Sequence, residues 1–181
     1  MMKKVIIAGS VVAGVLFGTF LVTEIMPKQE SVHYLTGEQA FNTRDKKQLV
    51  GWADNVFIGT VVKKDKQMTD SLSPITLYDV NVLETIKGSK DSSSRTIKIS
   101  HRAGYDEEQG AYFTMEGDVE TLKANAKYLF VTKYDEATQS HRVVSVEVNI
   151  LLETPEEEKK VKEEFIIAAQ NQVEPNYAGK E

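Results

Sequence analysis

Few residues in this chain are spaced for chemistry. His33, His101 and His141 lie far apart, with no His-x-His or His-Glu-x-x-His spacing to put two imidazoles on one metal. "YDEEQG", Tyr105 to Gly110, gathers three carboxylates but lacks the alternating ligands and closing glutamate of a calcium loop, and reads as an exposed acidic loop. Serines crowd "DSLS" and "DSSSR" with no Gly-x-Ser-x-Gly and no base partner. No cysteine is present, which excludes a thiolate metal site, a cysteine nucleophile and a disulfide scaffold. An enzyme therefore has no residues to rest on, and no cofactor or metal is expected. What remains is recognition. Tyr105, Tyr112, Phe113 and Met115 bring aromatic and flexible side chains of the interface kind into one long connection, Ala103 to Ala126. They are the candidate interaction loop.

The elements that must carry this loop are strands. "WADNVFIGTVV", Trp52 to Val62, is apolar on both faces at its start and has Gly59 in its middle. A small closed barrel asks this of its first strand, which must coil sharply enough to pair along both edges, and a mid-strand glycine permits the bend or bulge. Ile75 to Ile86 alternates, with Tyr78, Val80, Val82 and Ile86 inward and Asp79, Asn81 and Glu84 outward. Arg95–His101, Lys127–Tyr134 and Val143–Ile150 follow; in the last, Val144, Val146, Val148 and Ile150 point inward. The connection between the third and fourth strands has room for a helical turn near "VETLKA". Five antiparallel strands with an insert at that place form the plan of the oligonucleotide/oligosaccharide-binding (OB) barrel. On it, the competing role for Tyr112 and Phe113 is to plug the open end. The fold expected is thus mainly β: an OB-like barrel over 49–153, a C-terminal amphipathic helix and tail over 154–181, and a tether with a short helix over 27–48.

That short helix is signalled by Asp45 and Gln48, a capping pair in which Asp45 accepts from the third amide and Gln48 reaches back. The C-terminal helix opens on Thr154, Pro155 and Glu157. It carries Val161, Phe165, Ala168, Ala169 and Val173 on one stripe, suited to packing on the barrel. The segment before the short helix, Pro27 to Arg44, mixes Pro, Gly, Ser and charge and reads as a stalk.

Residues 1–26 set the compartment. Lys3 and Lys4 precede Val5 to Val22, eighteen residues without a charge, long enough to span a bilayer and longer than an ordinary signal core. The residues after it offer no small-residue cleavage site. A single-pass anchor through residues 5–22 is expected, with the lysines holding the N-terminus in the cytoplasm and the rest outside; the alternative is a cleaved signal and secretion. Setting Lys3 and Lys4 aside leaves 20 basic against 27 acidic side chains, a net charge of −7 that repels nucleic acid. "VVKKDK" and "RTIKISHR" are mildly basic but interleaved with strand residues, and read as solvated strand faces.

"ADNVFIGTVV", "TLYDVNVLETIKG", "TIKIS" and "LKANAKYLFVTK" together resemble the netrin-like module, the barrel of the tissue inhibitors of metalloproteinases, which is also seen in exported bacterial proteins. In that family an Ala/Ser-Asp pair opens strand one, strand two bears a tyrosine and ends in Lys-Gly, and a Gly-x-x-Tyr-Leu segment starts strand four. Here Ala124 stands near the glycine's place, with Asn125 the residue suited to left-handed backbone. The resemblance covers residues 49–151 and implies the fold. Those inhibitors chelate zinc through an N-terminal cysteine that this chain lacks, so no functional residue carries over. The function expected is a membrane-tethered extracytoplasmic binding module of a bacterial cell surface, meeting a protein or glycan. The alternative is a secreted hydrolase inhibitor.

Overall fold

The computed structural model describes residues 31–35, 41–69, 73–88, 96–115, 122–143 and 149–177. In order these form β1 (Ser31–Leu35), α1 (Lys46–Trp52), β2 (Asn55–Thr69), β3 (Pro74–Lys87), β4 (Thr96–His101), β5 (Gly104–Asp106), β6 (Ala111–Met115), β7 (Lys127–Asp135), β8 (Ser140–Val143), β9 (Ile150–Leu151) and α2 (Pro155–Gln170). The expected anchor over 5–22 lies outside the described residues. Among those described, no helix is long and apolar enough to cross a membrane.

The molecule is mainly β, and its larger sheet closes on itself. β2 pairs antiparallel with β3, and β3 with β4. β4 pairs parallel with β8, β8 antiparallel with β7, and β7 antiparallel with β2. Each of these five strands has a neighbour on both sides, so the ring leaves no long unpaired edge. Closure needs strong coiling, and the irregularities of the β2–β3 ladder supply it. Leu83 and Ile86 of β3 have no partner on β2, and Val62 and Asp65 of β2 have none on β3. Gly59 sits beside one of these shifts. A Cβ there would lie 2.8 Å from Val80 Cγ1 and 3.1 Å from the Asn81 carbonyl oxygen, so only glycine lets the two strands approach this closely.

β2 is apolar on both faces because it separates two cores. Phe57 and Val61 face the ring interior with Tyr78, Val80, Val82, Ile99, Tyr128 and Phe130. Val56 and Ile58 face the other way, packing with Leu129 and Val131 under α1 and α2 against Leu49, Val50, Phe165 and Ala168. Each of these buried side chains contributes roughly 1.5–3 kcal/mol relative to exposure. Val80 and Val82 point inward as the alternation predicts. Ile86 does not: the unpaired Leu83 shifts the phase of β3, and Ile86 packs on the helix-side core.

Three further expectations are corrected. The strand expected over Val143–Ile150 is not one uninterrupted rung. β8 ends at Val143 opposite Thr132, while Ile150 in β9 lies opposite Leu129. β7 thus advances three residues where its partner advances seven, too many for one continuous ladder. Residues 144–148 lie outside the described residues. The tight turn Glu136–Gln139, with Gln139 at φ 49°, starts β8 three residues earlier than the valine alternation suggests. The stalk contains a strand: β1 pairs parallel with β6, from Ser31 opposite Ala111 to Leu35 opposite Met115. Val173 leaves the helix stripe, because α2 stops at Gln170 with Asn171 as its C-cap; the Val173 side chain stays 48% exposed.

The caps explain the helices. Thr154 and Glu157 form the full reciprocal box at the start of α2, with Pro155 in the first turn. At α1, Asp45 accepts from the Lys47 amide at 2.9 Å, and Gln48 donates to the Asp45 carboxylate rather than reaching the backbone. Ion pairs then tie the helices down: Lys46 to Glu164, Lys127 to Glu158 at 2.6 Å and Lys162 to Glu84 at 2.7 Å. Phe165 is fully buried and Ile167 is 58% exposed, so the Phe165–Ile167 cluster is divided between core and surface.

Candidate functional site

The long connection after β4 folds into a hairpin. β5 and β6 pair antiparallel, with Tyr105 opposite Tyr112, and the turn between them is held by Asp106, which accepts from the amides of Glu108 and Gln109 at 2.9 and 3.0 Å. These bonds hold the Asp106 carboxyl below its usual range, the Gln109 amide foremost. The acidic stretch "YDEEQG" is therefore a turn that uses its own carboxylate. With β1 on the far side of β6, the hairpin makes a second sheet in the order β1-β6-β5. Its base is fixed to the ring. The Gln67 side chain donates to the Tyr105 carbonyl and accepts from the Tyr105 amide, while Thr76 donates to the Ala103 carbonyl at 2.6 Å.

The four loop residues are brought into this one sheet and do not act alike. Phe113 is buried and stacks on the His33 ring, with centroids 5.0 Å apart. Tyr105, Tyr112 and Met115 are half-buried. Within the connection, Leu122 is buried in the ring core and Ala126 packs against it, whereas Tyr112 and Phe113 lie in the second sheet. Leu122 is seated by the Lys123 amide on the Tyr128 hydroxyl and by the Asn125 amide on the Val61 carbonyl; Asn125 takes the left-handed conformation expected of it, φ 63°. Leu122 alternates with nothing, so periodicity could not single it out.

Beside the hairpin base lies a groove of about 350 Å³ lined by Met68, Ile75, Ser100, Arg102, Asp135, Ala137, Thr138 and Arg142. It runs between the strand ends at Met68 and Ile75 and the turn that joins β7 to β8. Alternation on β4 explains its chemistry. Ile99 enters the ring core, so Ser100 falls on the opposite face, and Arg102, just past the strand, lines the same groove. On the same face, Lys98 meets Asp65 and Asp79, each at 2.6 Å. Those contacts raise the Lys98 pKa and lower that of Asp65. β4 thus offers an ion-paired lysine and then a serine, and an arginine follows just past its end. Ser100 is 3% exposed, and its hydroxyl has no hydrogen-bond partner in the protein. Arg102 donates to the Ser73 hydroxyl at 2.9 Å. Arg142 is exposed and has no side-chain bond or ion pair among the described residues. Asp135 is engaged in its own turn, accepting from the Ala137 amide at 3.0 Å.

The sequence reading missed this groove. "RTIKISHR" reads there as a solvated strand face, yet its Ser100 and Arg102 turn toward a shared recess with Arg142, some forty positions away. No local pattern joins them; the parallel pairing of β4 with β8, Ser100 opposite Arg142, does. Of the histidines, His33 lies on the β1 sheet, His101 is buried beside Tyr78, and His141 packs against Tyr134. Among the described residues, no three His, Asp or Glu side chains are grouped to hold a metal ion. A wider depression of about 510 Å³ beside α2 is crossed by the Lys127–Glu158 ion pair.

No protein-family model matches the chain, and no curated protein sequence matches it.

Proposed function

We propose that this chain is a non-catalytic binding module, an OB-type barrel of netrin-like form, tethered by residues 5–22 to the outside of a bacterial membrane. The observation that carries the binding role is the groove, where Ser100, Arg102 and Arg142 converge beside the β7–β8 turn of the closed ring. Barrels of this plan bind ligands on that face, between the loop joining their first two strands and the loop joining their last two. The order of the strands around the ring and the parallel pairing of β4 with β8 within it support the barrel type. The hairpin that carries Tyr105, Tyr112, Phe113 and Met115 flanks the groove and widens the surface a protein or glycan partner would meet.

The tether is supported by the uncharged run behind Lys3 and Lys4. Its test is direct. Full-length chain should sediment with membranes and retain Met1, and protease added to wall-stripped intact cells should digest everything beyond the membrane segment. A soluble chain with a new N-terminus near residue 24, or complete protection from the protease, overturns the tethered reading.

A further inference from the structure

We propose that the second sheet docks a lysine-bearing extended peptide, added as a strand along the outer edge of β1 with its ammonium groups over the tyrosines. This rests on the chain being a binding module, and it places a contact outside the groove.

In the order β1-β6-β5, β1 has β6 on one side and no described strand on the other. Its five residues run in register with β6 without a bulge, and they include no lysine and no proline. Exposed edges are ordinarily blunted by such devices, because their unpaired N–H and C=O groups accept a further strand. This edge is left open, and strand addition is a recurring mode of peptide recognition.

The register also gives the sheet an aromatic outer face. Val32 lies beside Tyr112 and Tyr112 beside Tyr105, one row across three strands, with Tyr34 in the next row beside Thr114. The other face is occupied from within. Phe113 is buried and stacks on His33, and a Cβ on Gly104 would lie 2.3 Å from Gln67 Oε1 and 3.0 Å from Pro74 Cβ. On the outer face Tyr34 is 61% and Val32 38% exposed, while Tyr105 and Tyr112 are half-buried.

Charge selects the partner. Residues 31–35 and 104–115 hold three carboxylates, Asp106, Glu107 and Glu108, and no lysine or arginine. A second copy would bring like charges together, and nucleic acid would be repelled. A cation is attracted both by this potential and by the negative faces of the tyrosine rings. Alternate residues of a strand share a face, so lysines two apart would all lie on the tyrosine side.

The experiment is calorimetric titration of the detergent-solubilised full chain with acetyl-TKTKTKT-amide, acetyl-TETETET-amide and choline chloride. The lysine peptide should bind and the glutamate peptide should not. Choline should bind roughly tenfold more weakly or less, since it cannot pair with the edge. N-methylation of alternate amides of the lysine peptide, in one of its two phases, should cost about as much. Tyr34→Ala should weaken binding about three- to fivefold, and Tyr34→Phe should restore it, because the ring and not the hydroxyl faces the cation. Tyr34 is exposed, so both variants should melt like the parent. Replacing Glu107 and Glu108 together by glutamine should weaken binding a few-fold and flatten its salt dependence. No binding of the lysine peptide, equal binding of the glutamate peptide or of choline, indifference to both N-methylation phases, or unchanged affinity in a folded Tyr34→Ala overturns the proposal. Binding lost in Arg142→Gln yet kept in the sheet variants would move the site to the groove, overturning this inference while the binding-module reading stands.

Discussion

At the scale of single residues, the protein depends on which side of a strand each side chain takes. Val82 is in the ring core and its neighbour Asn81 is half-buried on the other face. Val82→Asp would place a carboxylate among Val80, Tyr128 and Phe130 with no partner, at a cost of about 3–5 kcal/mol. Asn81→Asp should stay within about 0.5 kcal/mol of the parent. Chemical denaturation of the pair checks the register; similar midpoints for both variants would reverse the inward assignment of Val82. Ile86 shows how local such parity is. One unpaired residue, Leu83, moves it from the ring core to the helix side.

At the scale of elements, the tail after α2 clasps α1 and the segment before it. The Val173 amide donates to the Lys47 carbonyl at 3.3 Å, the Asn176 amide to the Gln48 side chain at 2.9 Å, and Tyr177 meets Phe41 edge-on. Gly51 makes the clasp fit, since a Cβ there would lie 1.9 Å from the Val173 carbonyl oxygen. Gly51→Ala should therefore expel the tail and destabilise the protein by roughly 1–3 kcal/mol. In a chain truncated after Gln170 the same change should become neutral or stabilising, by up to about 1 kcal/mol, because alanine favours helix over glycine. Thermal melts of the four combinations decide it. An equal penalty with and without the tail would place the clash elsewhere.

At the scale of the whole molecule, the charges that hold elements together titrate on the acid side. Asp45 is held below its usual range by the Gln48 side chain, Asp65 by Lys98 and Glu164 by Lys46. Each carboxyl has a lower pKa folded than unfolded, so its contribution is full above the unfolded value and is lost as pH falls through the folded one. Stability should hold from neutral pH to about pH 4 and then decline, the decline being shallow because these groups are solvent-exposed. Melting temperature followed from pH 7 to pH 2.5 tests this, and Asp65→Asn should remove part of the decline. Stability that rises on acidification would contradict the assignment.

Much of the β architecture was legible in the chain. The alternation of β3, the double-sided apolar start of β2 and the capping box of α2 are local signals, set within a few residues by backbone geometry and burial. Asn125, too, is marked by its own conformational tolerance. The groove, the β1 addition to the hairpin and the role of Leu122 left no such mark. β1 is an exposed strand whose partner lies about eighty residues away. Ser100, Arg102 and Arg142 become one site only because the ring closes with β4 parallel to β8. Periodicity records which face of an element is buried. Only the tertiary structure decides which distant elements share an edge, and therefore which ordinary polar side chains meet, because that choice is made by long-range pairing and carries no short-range cost in sequence.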